Sequence, residues 1–292
     1  MNVAIVSTCL YAEELENKIN EQFKQITFPI FIPTYEVKKQ KQITYLYYDV
    51  EDTIFLRFYN KFLGEKIRIQ ICKAIFNMIQ EKIQYELLRE MIEKYCCTMS
   101  VSNRNHVFTG IKKWLTYAPP VYIKQQQRVK KTVLNDLLNC MEENKEIHIE
   151  GFIQFRMKSY KQYLKQLIKN YIHQWNVQQE YNRFIELLQF FLSAQPSKMS
   201  ILHVIAHKDG RFTFLDDQAV DITDRSIQVF MKELQLCEWS YEDILLSTII
   251  HFIPAKIIIH KYEYIKNLRM IKTLQYLFTS NLVLCAKCNL CI

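Results

Sequence analysis

Glycine is what this chain lacks. Only four of its 292 residues are glycine, and Gly64, Gly110, Gly151 and Gly210 stand far apart. A Walker A loop, a dinucleotide-binding G-x-G-x-x-G turn and a G-x-S-x-G nucleophile elbow all need clustered glycines, because the backbone there turns sharply or approaches a phosphate. Those three classes are excluded. No H-E-x-x-H zinc pair or EF-hand loop occurs either. With 49% hydrophobic residues, the chain can fill a substantial core divided into two or three packed regions.

The hydrophobic period locates those regions. Val3 to Val6 reads as a short strand, Glu13 to Phe23 as a helix, and Ile43 to Tyr48 as an alternating strand. From Glu65 to Tyr95 the apolar residues Ile67, Ile71, Ile75, Met78, Ile79, Ile83, Leu87 and Met91 recur at steps of three and four. That pattern predicts one long amphipathic helix. Its heptad is not cleanly kept, which favours an ordinary core stripe over a coiled coil. Ser102 to Leu115 predicts another helix, and Pro119-Pro120 marks a boundary. Lys124 to Glu142 and Gly151 to Leu192 are helical patterns. Next, Ile201 to His207, Asp209-Gly210 and Arg211 to Leu215 read as a β-hairpin, since Asp-Gly supplies the positive φ angles of a tight turn.

Helices over Asp224 to Leu236 and Tyr241 to Ile253 follow, then a strand at Lys256 to Ile259, a helix from Glu263 to Phe278, and a strand at Leu282 to Leu284. The fold class is helix-rich α+β, with a small N-terminal αβ part, long central helices and a C-terminal part holding a β-hairpin and a β-α-β unit. Three regions are expected: 1–118, 119–195 and 196–292. The apolar window Ile244 to Ile259 is only 16 residues and contains His251, Pro254 and Lys256. No transmembrane span is therefore expected.

Nine cysteines are present, an odd number, with Cys9, Cys72, Cys96, Cys97, Cys140 and Cys237 scattered. The N-terminus has no basic segment leading an apolar signal. The chain therefore reads as a reduced, cytoplasmic one rather than a disulfide framework. Cys285, Cys288 and Cys291 differ, because their spacing is that of metal ligands and three thiolates are one ligand short of a closed tetrahedral site. The fourth ligand follows from topology. If the strands flanking the last helix pair in parallel, they end on one sheet edge, and His260 and Cys285 lie on neighbouring strands roughly 4.8 Å apart. His260 with Cys285, Cys288 and Cys291 makes a Cys₃His set suited to zinc. A loose terminus carrying free thiols is the competing outcome.

Between Gly151 and Gln179 there are five basic residues and no acidic ones. Lys158, Lys161, Lys165 and Lys169 form one stripe, beside an apolar face of Leu164, Leu167, Ile168, Tyr171 and Trp175. The stripe could contact phosphates, an anionic membrane surface or a partner. The simpler reading is a solvated flank whose lysine stems border a buried face. His203 and His207 are four apart, but on a strand they lie roughly 13 Å apart and cannot share one ion. Asp216, Asp217, Asp221 and Asp224 could gather a cation, although a turn and a capped helix explain them with less assumption. Glu150 and Arg156 could form an ion pair or an anion site.

The segments Ile149 to Tyr160, the hairpin with Leu215-Asp-Asp, Tyr241 to Thr248 continuing through Pro254 to His260, and the terminal cysteine run together resemble the YtxC-like family of sporulation proteins of endospore-forming bacteria. The resemblance covers the C-terminal half and implies a role in sporulation inside the cell. It implies no catalytic residues. The functional expectation is a non-enzymatic interaction or regulatory protein, with an unidentified protein partner and a C-terminal zinc site. One alternative is an iron–sulfur or thiol redox protein. Another, weighed with a net charge of +8, is nucleic-acid binding.

Overall fold

Two four-stranded sheets, each backed by its own hydrophobic cluster, organise a computed structural model that describes residues 2–24, 33–49, 60–233, 241–279, 281–285 and 287–291. The chain divides into two compact units, Met1–Trp175 and Asn176–Ile292. The architecture is helix-rich α+β, as expected.

The first unit is built around β1 (Asn2–Thr8), whose Val3, Ala4 and Val6 are buried. After α1 (Ala12–Lys24) come β2 (Thr34–Gln40) and β3 (Ile43–Asp49), and the sheet order is β2-β3-β1-β4, with β4 spanning Glu146–His148. β3 is antiparallel to β1, whereas β4 is parallel to it. Leu15, Ile19 and Phe23, at four-residue steps, are the buried stripe of α1, and Glu13 and Glu14 in its first turn favour the helix dipole. Every residue of β2 is exposed, as suits a charged edge strand that discourages further pairing.

The expected helix from Glu65 to Tyr95 is longer and has a defect. It runs as α2 (Asn60–Met78), a π-helical turn at Ile79–Ile83, and α3 (Gln84–Tyr95). Gln84 is buried there, and its side-chain carbonyl accepts a hydrogen bond from Tyr160 Oη at 2.7 Å. Next come α4 (Val101–Thr116), capped by Ser100, and α5 (Pro120–Asn144), which Pro120 opens at a position that needs no N–H donor. Gly110 in α4 gives passage to a ring: a Cβ there would lie 2.0 Å from the Tyr171 phenol.

The expected helix from Gly151 to Leu192 is two helices, α6 (Ile149–Phe155) and α7 (Lys158–Ala194), with a break at Arg156 and the fully buried Met157. Among the described residues Glu150 in α6 makes no ion pair with Arg156. Its Oε1 accepts hydrogen bonds from Thr8 Oγ1, Cys9 N and Leu10 N at 2.7 to 2.9 Å, clamping the turn after β1. Burial acts to raise the Glu150 pKa, but these bonds outweigh it and hold the carboxyl below its usual value.

The second unit holds β5 (Met199–Ala206), β6 (Phe212–Leu215), α8 (Thr223–Glu233), α9 (Tyr241–Phe252), β7 (Pro254–His260), α10 (Leu268–Phe278) and β8 (Leu282–Cys285), with sheet order β6-β5-β7-β8. The hairpin expected at Asp209-Gly210 is present, but only Gly210 adopts a positive φ (92°). The turn bonds run from Gly210 N to His207 O and from His207 N to Arg211 O. β5, β7 and β8 are mutually parallel, so the β-α-β unit is present. Leu202, Val204, Ile257 and Ile259 are fully buried on one sheet face, each contributing about 1.5–3 kcal/mol of hydrophobic stabilisation. The opposite face carries His203, Ile205, Ile258, His260 and Cys285.

The last helix begins at Leu268 rather than Glu263, because Asn267 caps it by accepting from Arg269 N. Positions 234–236 of the expected helix over Asp224 to Leu236, and Cys237, lie outside the described residues.

Candidate metal centre

β7 and β8 run in parallel with His260 directly opposite Cys285. Both residues end their strands, so the sheet sets two donors on one edge. Residues 287–291 bring Cys288 and Cys291 back over that edge, with Cys291 N bonded to Cys288 O at 2.8 Å. His260 is buried, and its Nδ1 lies 3.2 Å from Cys288 Sγ and 3.4 Å from Cys291 Sγ. Cys291 Sγ is 3.6 Å from Cys288 Sγ and 3.8 Å from Cys285 Sγ. One donor atom from each of the four residues lies within 4.8 Å of the others.

These distances match a single ion. Zinc bonded at about 2.3 Å to sulfur and about 2.0 Å to nitrogen, in a tetrahedron, holds its sulfurs about 3.8 Å apart and the nitrogen about 3.5 Å from each. They do not match a disulfide, whose sulfurs are about 2.05 Å apart, and the three thiols are free. The donors are also prepared electronically. Burial, with His203 alongside, lowers the His260 pKa and keeps the ring in its neutral, ligating form. Burial acts to raise the pKa of Cys291, yet backbone bonds at Cys288 and Lys261, together with the neighbouring thiols, bring it down. Cys285 moves up, chiefly through its bond with Cys288.

A residue that the sequence reading set aside completes the arrangement. His203 Nδ1 lies 3.0 Å from His260 Nε2. When His260 offers Nδ1 to a metal, its ring proton sits on Nε2 and is donated to His203, which fixes the tautomer and the ring plane. His207 bonds Thr213 Oγ1 at 2.8 Å. The signal that could have found His203 is strand parity, because Ile205 pairs with His260 and His203 is two residues along on the same face.

Lys161, Lys165 and Lys169 line a groove of about 630 Å³ whose other wall carries Glu90, Lys94 and Tyr95 of α3. Lys165 Nζ lies 4.8 Å from the centre of the Tyr95 ring, and Lys158 is exposed away from the lining. Leu164, Leu167 and Ile168 are buried as expected, whereas Trp175 is half-buried beside His106. The aspartates serve local turns: Asp216 accepts from Gln218 N and Val220 N, Asp217 from Ser200 Oγ, and Asp221 from Thr223 N. No helix among the described residues is long and apolar enough to cross a membrane.

Fold and site together define a helix-rich α+β protein with a clustered Cys₃His donor set. A sequence model of the YtxC-like family matches residues 69–283, and the chain belongs to that family. The matched span ends before Cys285, so three of the four donors lie just beyond it. The uncharacterised protein YtxC of Bacillus subtilis (strain 168) is 24% identical over 132 residues, covering 45% of this chain and 46% of that protein. The chain thus spans about half the length of this relative. No solved structure matches.

Proposed function

We propose that this chain is a non-enzymatic cytoplasmic protein of sporulation, an interaction or regulatory module whose C-terminal sheet edge is closed by a structural zinc ion. The observation carrying this reading is the convergence of four donors, His260, Cys285, Cys288 and Cys291, within 4.8 Å of one another. Four protein ligands leave no coordination position for substrate, which is the mark of a structural rather than a catalytic zinc. The sporulation setting rests on the resemblance to the YtxC-like family, and the cytoplasmic setting on the unpaired thiols. Convergence on one point also favours a mononuclear ion over a cluster that spreads its cysteines across several irons.

The test is metal analysis and an absorption spectrum of protein purified without oxygen. Zinc that His260→Ala and Cys288→Ser each remove, with the helical circular dichroism retained, is the expected result. Visible charge-transfer bands in the native protein would instead identify an iron centre and a redox role.

The groove lined by Lys94, Lys161, Lys165 and Lys169 favours an anionic surface on the partner, and nucleic acid is the second reading. Retention on RNA or DNA that falls steeply with salt would support nucleic acid. Its absence at low salt would leave an acidic protein segment as the occupant.

A further inference from the structure

The first unit contains a second convergence of donors, unrelated to the tail. β1 and β4 are parallel with Ser7 opposite His148, so the residues that end and follow these strands meet at one sheet edge. Cys9 follows β1, His148 ends β4, and Glu150 stands in the first turn of α6. His148 Nε2 is 4.0 Å from Cys9 Sγ, and His148 Nδ1 is 3.6 Å from Glu150 Oε2. One donor atom from each of the three lies within 4.8 Å of the others.

Structural roles account for part of this arrangement. Glu150 Oε1 clamps the turn after β1, and His148 Nδ1 caps α6 by accepting from Gly151 N at 3.1 Å. Cys9 Sγ faces Nε2 of the imidazole, and Glu150 Oε2 lies beside its Nδ1. Oε2 is buried, and no hydrogen-bond donor among the described residues serves it. A buried carboxylate oxygen without a donor is costly, and such a group in a native fold commonly marks a missing ion or water. Glu150 lines a cavity of about 180 Å³ with Glu86 and Glu90, where Lys161 is the one cationic residue among those described.

We propose that Cys9, His148 and Glu150 form a second metal site, for a divalent first-row ion with zinc the best match. One thiolate, one imidazole and one carboxylate suit zinc, and the exposure of Cys9 leaves a fourth position open to water. This site is independent of the Cys₃His centre. Uptake has a structural consequence. A neutral imidazole has one lone pair, which in the metal-free chain serves Gly151 N–H. A metal takes that lone pair at either nitrogen, so loading the site frees the Gly151 amide.

The experiment titrates Co²⁺ into the full-length chain after its tail centre has been filled with zinc. It follows the thiolate-to-metal charge-transfer band and amide exchange at Gly151. Wild type is expected to take up one Co²⁺ per chain with such a band and with faster exchange at Gly151. Cys9→Ser should abolish the band, and His148→Asn should weaken binding at least tenfold while keeping a capping oxygen for α6. Circular dichroism and thermal melting of both variants show whether they remain folded. Cys285→Ser should leave the Co²⁺ uptake at this site unchanged, which separates failure here from failure of the tail centre. Absence of Co²⁺ uptake, or uptake whose band survives Cys9→Ser, overturns the proposal.

Discussion

His260 faces two ways, towards the thiols through Nδ1 and towards His203 through Nε2. The donor is therefore only as well placed as its support. Removing such an outer partner commonly lowers metal affinity ten- to a hundredfold. His203→Ala should do so here while the helices remain folded, read by zinc competition against a coloured chelator. Affinity within twofold of wild type would show that burial alone orients the ring. At this scale the sequence pointed to the four donors that cluster here but not to the histidine beside them. Cys285, Cys288 and Cys291 announce themselves by spacing, and His260 follows from the end of a strand that reads clearly. His203 was hidden because its partner is 57 residues away and only the sheet order joins them.

Among the elements, helices were legible wherever a repeating apolar face had to be buried. Defects in them were not. Across the break between α6 and α7, the buried residues Ile153, Met157, Tyr160, Leu164 and Leu167 keep steps of three and four, so the periodicity runs straight through the place where the chain stops being helical. The π turn before α3 is concealed in the same way. β2 and β4 escaped notice for another reason: β2 has no buried side to create alternation, and β4 is only three residues long. The two faces of α7 give a prediction at this scale. Leu164→Ala should cost about 2–5 kcal/mol, since its side chain is fully buried. Replacing Lys161, Lys165 and Lys169 with glutamine should cost less than about 1 kcal/mol, because lysines that are exposed or half-buried and a single cation–π contact contribute little. Urea denaturation measures both, and comparable losses would refute this assignment of faces.

For the molecule as a whole, each unit carries its own core and its own sheet edge at which donors gather. The first unit also buries acids whose ionisation unfolding would release. Burial raises Cys72 from 9.0 to about 12 and Tyr163 from 10.0 to about 12, and it raises Tyr48 and Tyr160 as well. A raised acid binds its proton more tightly in the folded state. Its stabilisation is complete below the unfolded pKa and is lost as pH climbs towards the folded one. The stability of the first unit should accordingly decline between about pH 9 and pH 12. Tyr163→Phe should make that decline shallower, and it removes a hydroxyl with no hydrogen-bond partner among the described residues. Urea midpoints measured across this range check the claim, and equal slopes for wild type and variant would contradict it.

The proposed zinc centre is tested most directly by X-ray absorption at the zinc edge, on Cys9→Ser protein purified without oxygen so that only the tail contributes. Three sulfurs at about 2.3 Å and one nitrogen at about 2.0 Å are the expected shell, with the nitrogen lost in His260→Ala. A shell with fewer than three sulfurs, or a nitrogen that persists without His260, would contradict the Cys₃His centre.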